Sequence, residues 1–369
     1  MFTIPYRSLL GLLSICLFLS CSNTVNKEKE KEKIQEQIAL ISKAHFNKDA
    51  TQFYAPYASS WYDAREGNIS IRIKDSAKTS TQAYLDQMEI LELKPTHDPV
   101  IEISDDGKMA SYMGAVILKG RYNTQPSFWV VSWQSVLKKI NDQWQIIGNA
   151  NTQATPVSTA NVILELAMNE VGYLNKESTI YALADCKSPG GSFKTLIISE
   201  SSKARMEQKQ GVYHAIFKHG PLSSWSRDVS SGKVNESIDG ITDMFIKGHE
   251  LHWLGFRPED RFSNPSFKGF EEYDGQSAFR IQFTDALNRP VFFYYAFDNY
   301  MPLGFSIATD TENKRVKVYY RDWRALGELK VFYGATFVDG ANIFDYEYTH
   351  LKISGEQDFD LDLKTAYLQ

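Results

Sequence analysis

The sequence predicts an α+β protein with two folded domains. The chain has 369 residues, of which 43% are hydrophobic and 23% are charged. This composition indicates a folded chain, and at about 150 residues per domain the length accommodates two domains. Short stretches of helical periodicity precede long stretches of strand alternation. Residues 252–349 hold 24 of the 49 aromatic residues. Forty basic residues against 45 acidic ones leave no cationic excess, so we expect no nucleic-acid partner.

The first 20 residues have the form of a secretory signal peptide. Arg7 precedes an apolar run from Leu9 to Leu19, which is shorter than the roughly 20 residues that span a bilayer and suits a signal-peptide core. Ser20 directly precedes Cys21, and this junction resembles the lipobox of bacterial lipoproteins. The resemblance implies cleavage before Cys21 and attachment of lipid to its thiol. A signal peptide with an incidental cysteine is the alternative.

The segment 21–30 is polar with alternating charge, which predicts a solvated tether. A lipidated cysteine binds the membrane through its acyl chains, and Ser22 provides no acidic signal for inner-membrane retention. We therefore expect a cell-envelope protein that is lipid-anchored in the outer membrane and faces the periplasm. The mature chain would keep only Cys21 and Cys186. We expect no internal disulfide, so core packing alone must hold the fold.

Residues 31–154 predict one α+β domain in which helices precede an antiparallel meander. Ile34, Ile38 and Ile41 lie on one helix face, and a second helix is predicted from Asp49 to Tyr57. The remaining predicted elements are a strand through Ile69, Ile71 and Ile73, a helix through Tyr84, Met88 and Leu91, and strands at 100–104, 109–118, 128–140 and 144–149.

This order of elements, with the hairpin from Val136 to Ile147, resembles the nuclear transport factor 2-like fold of ketosteroid isomerase and the SnoaL-type cyclases. In that cone-shaped fold a curved sheet wraps a helix and leaves a pocket at the wide end. Alternatively, Trp61, Tyr62 and Asp63 form a loop, and Trp129 and Trp133 belong to a packed core. The candidate pocket residues that the resemblance implies are Tyr54, Trp61, Tyr62, Asp63, Trp129 and Trp133.

Asp63 is the candidate general base, since a carboxylate beside apolar rings has a raised pKa. Ketosteroid isomerase chemistry also requires an oxyanion hole made by a Tyr and a protonated Asp. No pair in the sequence is matched to those residues. An isomerase, dehydratase or cyclase activity is therefore an alternative function and not the leading one.

Residues 155–369 predict a second, β-rich domain. A linker at 155–159 leads into a helix at 160–171, and a second helical segment covers 242–256. An aromatic sheet face must be covered, either by these helices or by a bound ligand. Strands are predicted at 193–199, 203–209, 212–217, 225–229, 233–238, 279–283, 315–320 and 344–348.

Three aromatic motifs, at 292–304, 318–331 and 344–353, resemble the LolA/LolB-like envelope proteins. In that superfamily an incomplete antiparallel barrel folds around helices and cradles a hydrophobic guest. The resemblance implies an antiparallel β half-barrel with covering helices, whose ligand is an apolar small molecule or a lipid. Its candidate pocket residues are Trp253, Phe283, Tyr295, Arg321 and Arg324.

Arg321 and Arg324 are candidates for binding an anionic headgroup, because arginine donates paired hydrogen bonds to phosphate or carboxylate. Ion pairing with Asp322 between them is the alternative. His249 and His252 are three residues apart, whereas a zincin helix places its histidines four apart. We therefore expect no metal at these histidines, and the sequence contains no motif for a cofactor.

Three functional hypotheses follow. The leading one is a non-catalytic envelope lipoprotein that binds an apolar molecule in the half-barrel. The second is an enzyme that uses Asp63, and the third is a structural protein whose pockets are filled by its own side chains. The first and third differ in whether the apolar face of the second sheet is open or is covered by residues 242–256.

Overall fold

The computed structural model describes residues 25–308, 315–355 and 360–368. The predicted signal peptide and Cys21 therefore lie outside the described residues. The fold is α+β, with most residues in sheets and few in helices. The chain divides into two compact units, 1–153 and 154–369. Along the described ranges, no helix combines the length and the hydropathy needed to cross a bilayer.

The first unit contains a seven-stranded sheet with the order β2-β1-β7-β6-β5-β3, in which β4 also pairs with β5. Strands β1 and β7 run parallel, and the other neighbouring pairs are antiparallel. Its helices are α1 (Lys27–Asn47), α2 (Ala50–Phe53) and α3 (Lys74–Gln87), and its strands are β1 (Tyr57–Arg65), β2 (Asn68–Ile73), β3 (Met88–Pro95), β4 (Val100–Ile103), β5 (Met109–Tyr122), β6 (Gln125–Ile140) and β7 (Gln143–Gln153).

Helix α1 supplies the centre of the first core. The Asn26 side chain caps it by accepting a hydrogen bond from the backbone N–H of Lys29 at 3.1 Å, so the helix begins inside the segment predicted as a tether. The apolar face of α1 packs in one cluster with Trp144. The Trp144 indole donates a hydrogen bond to the buried Glu30 carboxylate at 2.7 Å, and Lys139 lies 2.8 Å from the same carboxylate.

Two predicted helices in this unit extend too far. Helix α2 ends at Phe53 and Tyr57 begins β1, whereas α3 ends at Gln87 and both Met88 and Leu91 lie in β3. The pairing of β3 with β5 contains a register shift, which interrupts strand alternation. The apolar residues at positions 88 and 91 therefore acquire a spacing of three that imitates a helix.

The second unit contains a thirteen-stranded sheet in which all neighbouring strands are antiparallel. Its helices are α4 (Pro156–Val171), α5 (Gly240–His249) and α6 (Leu251–Phe256). Its strands are β8 (Thr179–Ser188), β9 (Gly191–Ser199), β10 (Ala204–Gln210), β11 (Tyr213–His219), β12 (Trp225–Asp228), β13 (Val234–Asn235), β14 (Ser263–Tyr273), β15 (Gln276–Thr284), β16 (Pro290–Ala296), β17 (Pro302–Ala308), β18 (Arg315–Leu326), β19 (Leu329–Asp339) and β20 (Asn342–Ser354).

The strand order is β13-β12-β11-β10-β9-β8-β20-β19-β18-β17-β16-β15-β14. Two meanders are therefore joined where β8 pairs with the last strand, β20, and the sheet does not close on itself. Helix α4 begins earlier than predicted, because Pro156 occupies its first turn and Thr155 caps it, as expected for these residue types.

One end of the outer face of this sheet is covered by residues 360–368. Leu361 and Leu368 pack on Leu196 and Ile198. The buried Glu207 carboxylate accepts hydrogen bonds from two backbone N–H groups of the segment, at 2.8 and 2.9 Å. The chain itself therefore occupies this part of the outer face and leaves the opposite, inner face to the helices.

Candidate functional site

A cavity of about 440 Å³ lies between α5 and the inner face of the second sheet. Phe193 of β9 and Phe305 of β17 both line it, although five strand spacings separate these strands in the sheet order. In a flat sheet that separation is roughly 24 Å, from a spacing of about 4.8 Å. The sheet therefore curves around the cavity.

The cavity walls are mainly apolar. Four α5 residues follow helical spacing along one face and form the wall opposite the sheet: Ile241, Met244, Phe245 and Gly248. Phe245 is 42% exposed and Ile241 is 53% exposed, so the cavity opens to solvent beside the helix. The sheet contributes Phe193, Phe305, Ile307, Val316, Phe337, Phe344 and Tyr346.

His249 closes one part of the wall as a neutral ring. Burial among apolar side chains lowers its pKa to about 4, and its ring stacks 5.0 Å from that of Phe337. Its Nδ1 lies 2.7 Å from the backbone oxygen of Phe245, so Nδ1 carries the proton and donates it. The cavity wall thus contains no imidazolium at neutral pH.

Polar side chains form the margin of the cavity. Arg289 is one of them, and its Nε lies 2.9 Å from the Asp285 carboxylate. An apolar space with a few polar groups at its edge is the usual form of a site for an apolar ligand. The other polar residues that line it are Ser188, Gln208, Lys209, Gln210 and Asp339.

Helix α6 fills the inner face next to the cavity. All six of its residues are buried. The His252 ring stacks on Phe332 with the centroids 4.1 Å apart, and its Nε2 lies 2.8 Å from the Phe332 backbone oxygen. The Trp253 indole donates to Asp260 at 3.2 Å. The inner face is therefore filled by α6 in one part and open beside α5 in another.

A buried ion-pair network fixes the break between α5 and α6. Glu250, with no exposed surface, separates the two helices. Its Oε1 lies 2.6 Å from Nη2 of Arg261, and its Oε2 lies 2.8 Å from Nε2 of His219. Burial raises the pKa of Glu250, but Arg261 and His219 outweigh it and lower the pKa to about 2. The carboxylate therefore stays charged at all ordinary pH values.

None of the second-unit residues predicted from the sequence lines this cavity. Trp253 is inside α6, and Phe283 is packed 5.3 Å from Phe293. Tyr295 lines a separate cavity of about 190 Å³ beside α4. Arg324 has its Nε 3.0 Å from Asp322, which is the local ion pairing considered as the alternative.

Arg321 is the last of the five pocket residues predicted for the second unit. Its Nε donates to Thr336 at 3.2 Å, and its Nη2 lies 3.7 Å from Asp274. Neither arginine lines the cavity beside α5, the cavity beside α4, or a further cavity next to Cys186. An anionic headgroup in the 440 Å³ cavity would therefore not meet them.

Three of the six predicted residues of the first unit belong to its core. Tyr54 and Trp61 are buried in one aromatic cluster. Trp133 is half-buried and stacks on Tyr112 at 5.9 Å. Asp63 is half-buried in β1, opposite Ser70 of β2 and Asn149 of β7. Trp129 is half-buried, and Tyr62 is 63% exposed.

His249 and His252 make separate contacts, and in the described ranges no group of three His, Cys, Asp or Glu side chains is arranged to hold a metal ion. The residues that do line the cavity were not among the site residues predicted from the sequence. The sequence offered two signals for them. Residues 241, 244, 245 and 248 have the spacing of one helix face, and Gly248 is a glycine inside that helical pattern.

No family model matches the sequence, and no curated protein matches it. Among solved structures, the chain is similar to a LolA superfamily protein from Nitrosomonas europaea, with 11% identity, a TM-score of 0.39, and coverage of 52% of this chain and 92% of that one. A DUF1329 family protein from Desulfovibrio piger has 8% identity and a TM-score of 0.38, covering 54% and 93%. An NTF2-like protein from Cytophaga hutchinsonii has 14% identity and a TM-score of 0.29, covering 34% and 98%.

Proposed function

We propose that this protein is a lipid-anchored, non-catalytic protein of the bacterial cell envelope that binds an apolar small molecule or lipid in the cavity beside α5. The observation that carries the proposal is the cavity itself. Its volume of about 440 Å³ lies within the range of roughly 300–1,000 Å³ that is usual for ligand pockets. A structural protein with self-filled pockets would leave a negligible volume.

Gly248 keeps this space free on the helix side. It is buried in α5 and lines the cavity, and a Cβ added there would meet no atom within 4 Å. A glycine inside a helix costs about 1 kcal/mol relative to alanine. Retaining glycine where a larger side chain would fit is consistent with a requirement for an open cavity.

The anchor is proposed from the sequence alone. Helix α1 begins at Lys27, so five residues, 22–26, separate it from Cys21. An extended chain spans at most about 3.6 Å per residue, which gives a tether of at most about 18 Å. The first unit would therefore lie close to the membrane surface, which we propose to be the periplasmic face of the outer membrane.

The ligand proposal is tested with the polypeptide from Ser22 on, which retains every described residue. Lipids that co-purify without detergent are identified by mass spectrometry, and the stripped protein is titrated with a dansyl-labelled fatty acid. We expect the protein to take up the probe, and Gly248→Trp to weaken its affinity at least about tenfold because the indole fills the cavity. Gly248→Ala has the same backbone change with one added methyl group, and it should bind nearly as well as the original protein.

Two results would count against the proposal. One is a protein that purifies without lipid and takes up no probe. The other is a folded Gly248→Trp protein with unchanged affinity, where folding is checked by circular dichroism. The anchor is tested separately in cells with Cys21→Ser, which should move the protein from the membrane fraction to the soluble fraction.

A further inference from the structure

Strand β2 is an open edge of the first sheet. It pairs with β1 on one side and stands last in the strand order. All six of its residues are exposed. An uncovered edge presents unpaired backbone N–H and C=O groups that pair readily with another strand, and natural edges are usually protected by proline, lysine or a bulge. The Asn68–Ile73 strand contains no proline, lysine or bulge, and Arg72 is its one charged residue.

The side chains of β2 are also unusual for an exposed edge. Ile69, Ile71 and Ile73 lie on one face and are 78%, 63% and 53% exposed. Tyr62 lies opposite Ile71 in the pairing with β1 and is 63% exposed. Together these four side chains form an apolar row at the sheet edge with nothing packed on it in the described part of the chain.

The opposite face of the same edge carries two charges. Asp63 lies opposite Ser70, and Arg72 lies opposite Trp61. Within the described ranges, no ion pair or side-chain hydrogen bond involves either Asp63 or Arg72. An unpaired acid and an unpaired base thus sit one strand apart on one face, offset along the strand direction.

We propose that the partner of this edge is a second copy of the chain, paired antiparallel through β2 about a two-fold axis at Ile71. In this register Ile71 faces its own copy and Ile69 faces Ile73. This is the one register that pairs all three isoleucines, and it is self-complementary as a two-fold interface requires. The two first-unit sheets become one continuous sheet with an unbroken apolar row.

The same register also pairs the charges. It places Arg72 of the second copy directly opposite Ser70, so Asp63, Ser70 and that arginine form one row across three strands. Two strand spacings, about 10 Å, separate Asp63 from the arginine backbone. An extended arginine crosses that distance over the small serine side chain. The two-fold axis makes this contact twice. Within one copy Arg72 is a diagonal neighbour of Asp63, at about 7–8 Å between backbones, but the structure describes both side chains and contains no ion pair between them.

The inference is tested by sedimentation velocity over a concentration series, with the polypeptide from Ser22 on. We expect a dimer, and we expect Asp63→Arg and Arg72→Asp each to weaken dimerisation by about tenfold or more, because each creates two like-charge contacts. The combined Asp63→Arg, Arg72→Asp protein should regain most of the lost affinity. Ile71→Lys should abolish the dimer, whereas Ile343→Lys, at a 51% exposed isoleucine of the second unit, should not affect it.

A second measurement needs no substitution. Amide hydrogen exchange of residues 68–73 should slow as the protein concentration rises, since the β2 N–H groups become bonded across the interface. The proposal is overturned by a protein that stays monomeric, by a dimer that survives Ile71→Lys, by exchange in β2 that is independent of concentration, or by a combined charge variant no better than the single ones.

Discussion

Replacing Glu250 by glutamine should destabilise the second unit by about 3 kcal/mol at neutral pH. Glu250 is fully buried and accepts hydrogen bonds from Nη2 and Nε of Arg261 at 2.6 and 2.9 Å and from His219 at 2.8 Å. Glutamine keeps the shape of the side chain but removes its charge. Arg261 then stays buried without its anion, and breaking one side of a buried pair costs about 3–5 kcal/mol.

The pKa of Glu250 has the direction that these ion pairs require. Its ordinary value of 4.5 is lowered to about 2 in the folded protein, which corresponds to a stabilisation of a few kcal/mol at about 1.4 kcal/mol for each pH unit. The Glu250 carboxylate binds a proton more tightly in the unfolded chain than in the folded one. The stabilisation that ionised Glu250 gives the folded protein is therefore complete above pH 4.5 and is lost as the pH falls towards 2.

The assay is hydrogen exchange of peptides from 240–256 over a urea series, at pH values from neutral down to acid, for both proteins. The stability difference between the original protein and Glu250→Gln should shrink from about 3 kcal/mol at neutral pH towards zero near pH 2. Glu236→Gln, at an exposed ion pair, is the control and should change stability by less than about 1 kcal/mol. A difference that does not depend on pH, or one below about 1 kcal/mol at neutral pH, would refute the reasoning.

Three further predictions concern other parts of the chain. Gly304→Ala should prevent folding or lower stability by more than about 3 kcal/mol, since φ is +140° and a Cβ would lie 1.8 Å from a neighbouring backbone oxygen; thermal unfolding measures this. Glu207→Gln should accelerate hydrogen exchange in 360–368, which Glu207 holds through two backbone N–H groups, and leave 240–256 unchanged. Trp144→Phe should lower first-unit stability by about 2 kcal/mol in urea unfolding, because it removes the hydrogen bond to Glu30.

Strand alternation in the sequence was enough to place side chains on the correct face of a sheet. The predicted strands at 279–283 and 344–348 are confirmed within β15 and β20. Alternation does not say what covers that face. Phe283 and Phe344 have the same pattern, yet Phe283 is packed against Phe293, whereas Phe344 lines the cavity. The difference depends on what other parts of the chain contact each residue, which local alternation does not contain.

Two strands of the second sheet gave no signal that alternation could detect. In β8 three of the inward residues, Ala182, Ala184 and Cys186, are too small to stand out as a hydrophobic stripe. Strand β14 contains Pro265 and Gly269, and its pairing with β15 shifts register twice. Proline and glycine indicate turns in sequence, but at an edge strand both are tolerated.

The size of the cavity follows from one residue that breaks a helical pattern. Residues 242–256 have continuous helical spacing and were predicted as one segment, but Glu250 adopts φ −75° and ψ 50° and divides it into α5 and α6. A single straight helix would carry α5 and α6 along one axis, so both would either pack on the sheet or stand away from it. The break lets α6 bury all its residues while α5 remains at the far wall of the cavity. Since Glu250 is held in place by its buried ion pairs, the same charges that stabilise the second unit also fix the break that leaves α5 at the wall of the cavity.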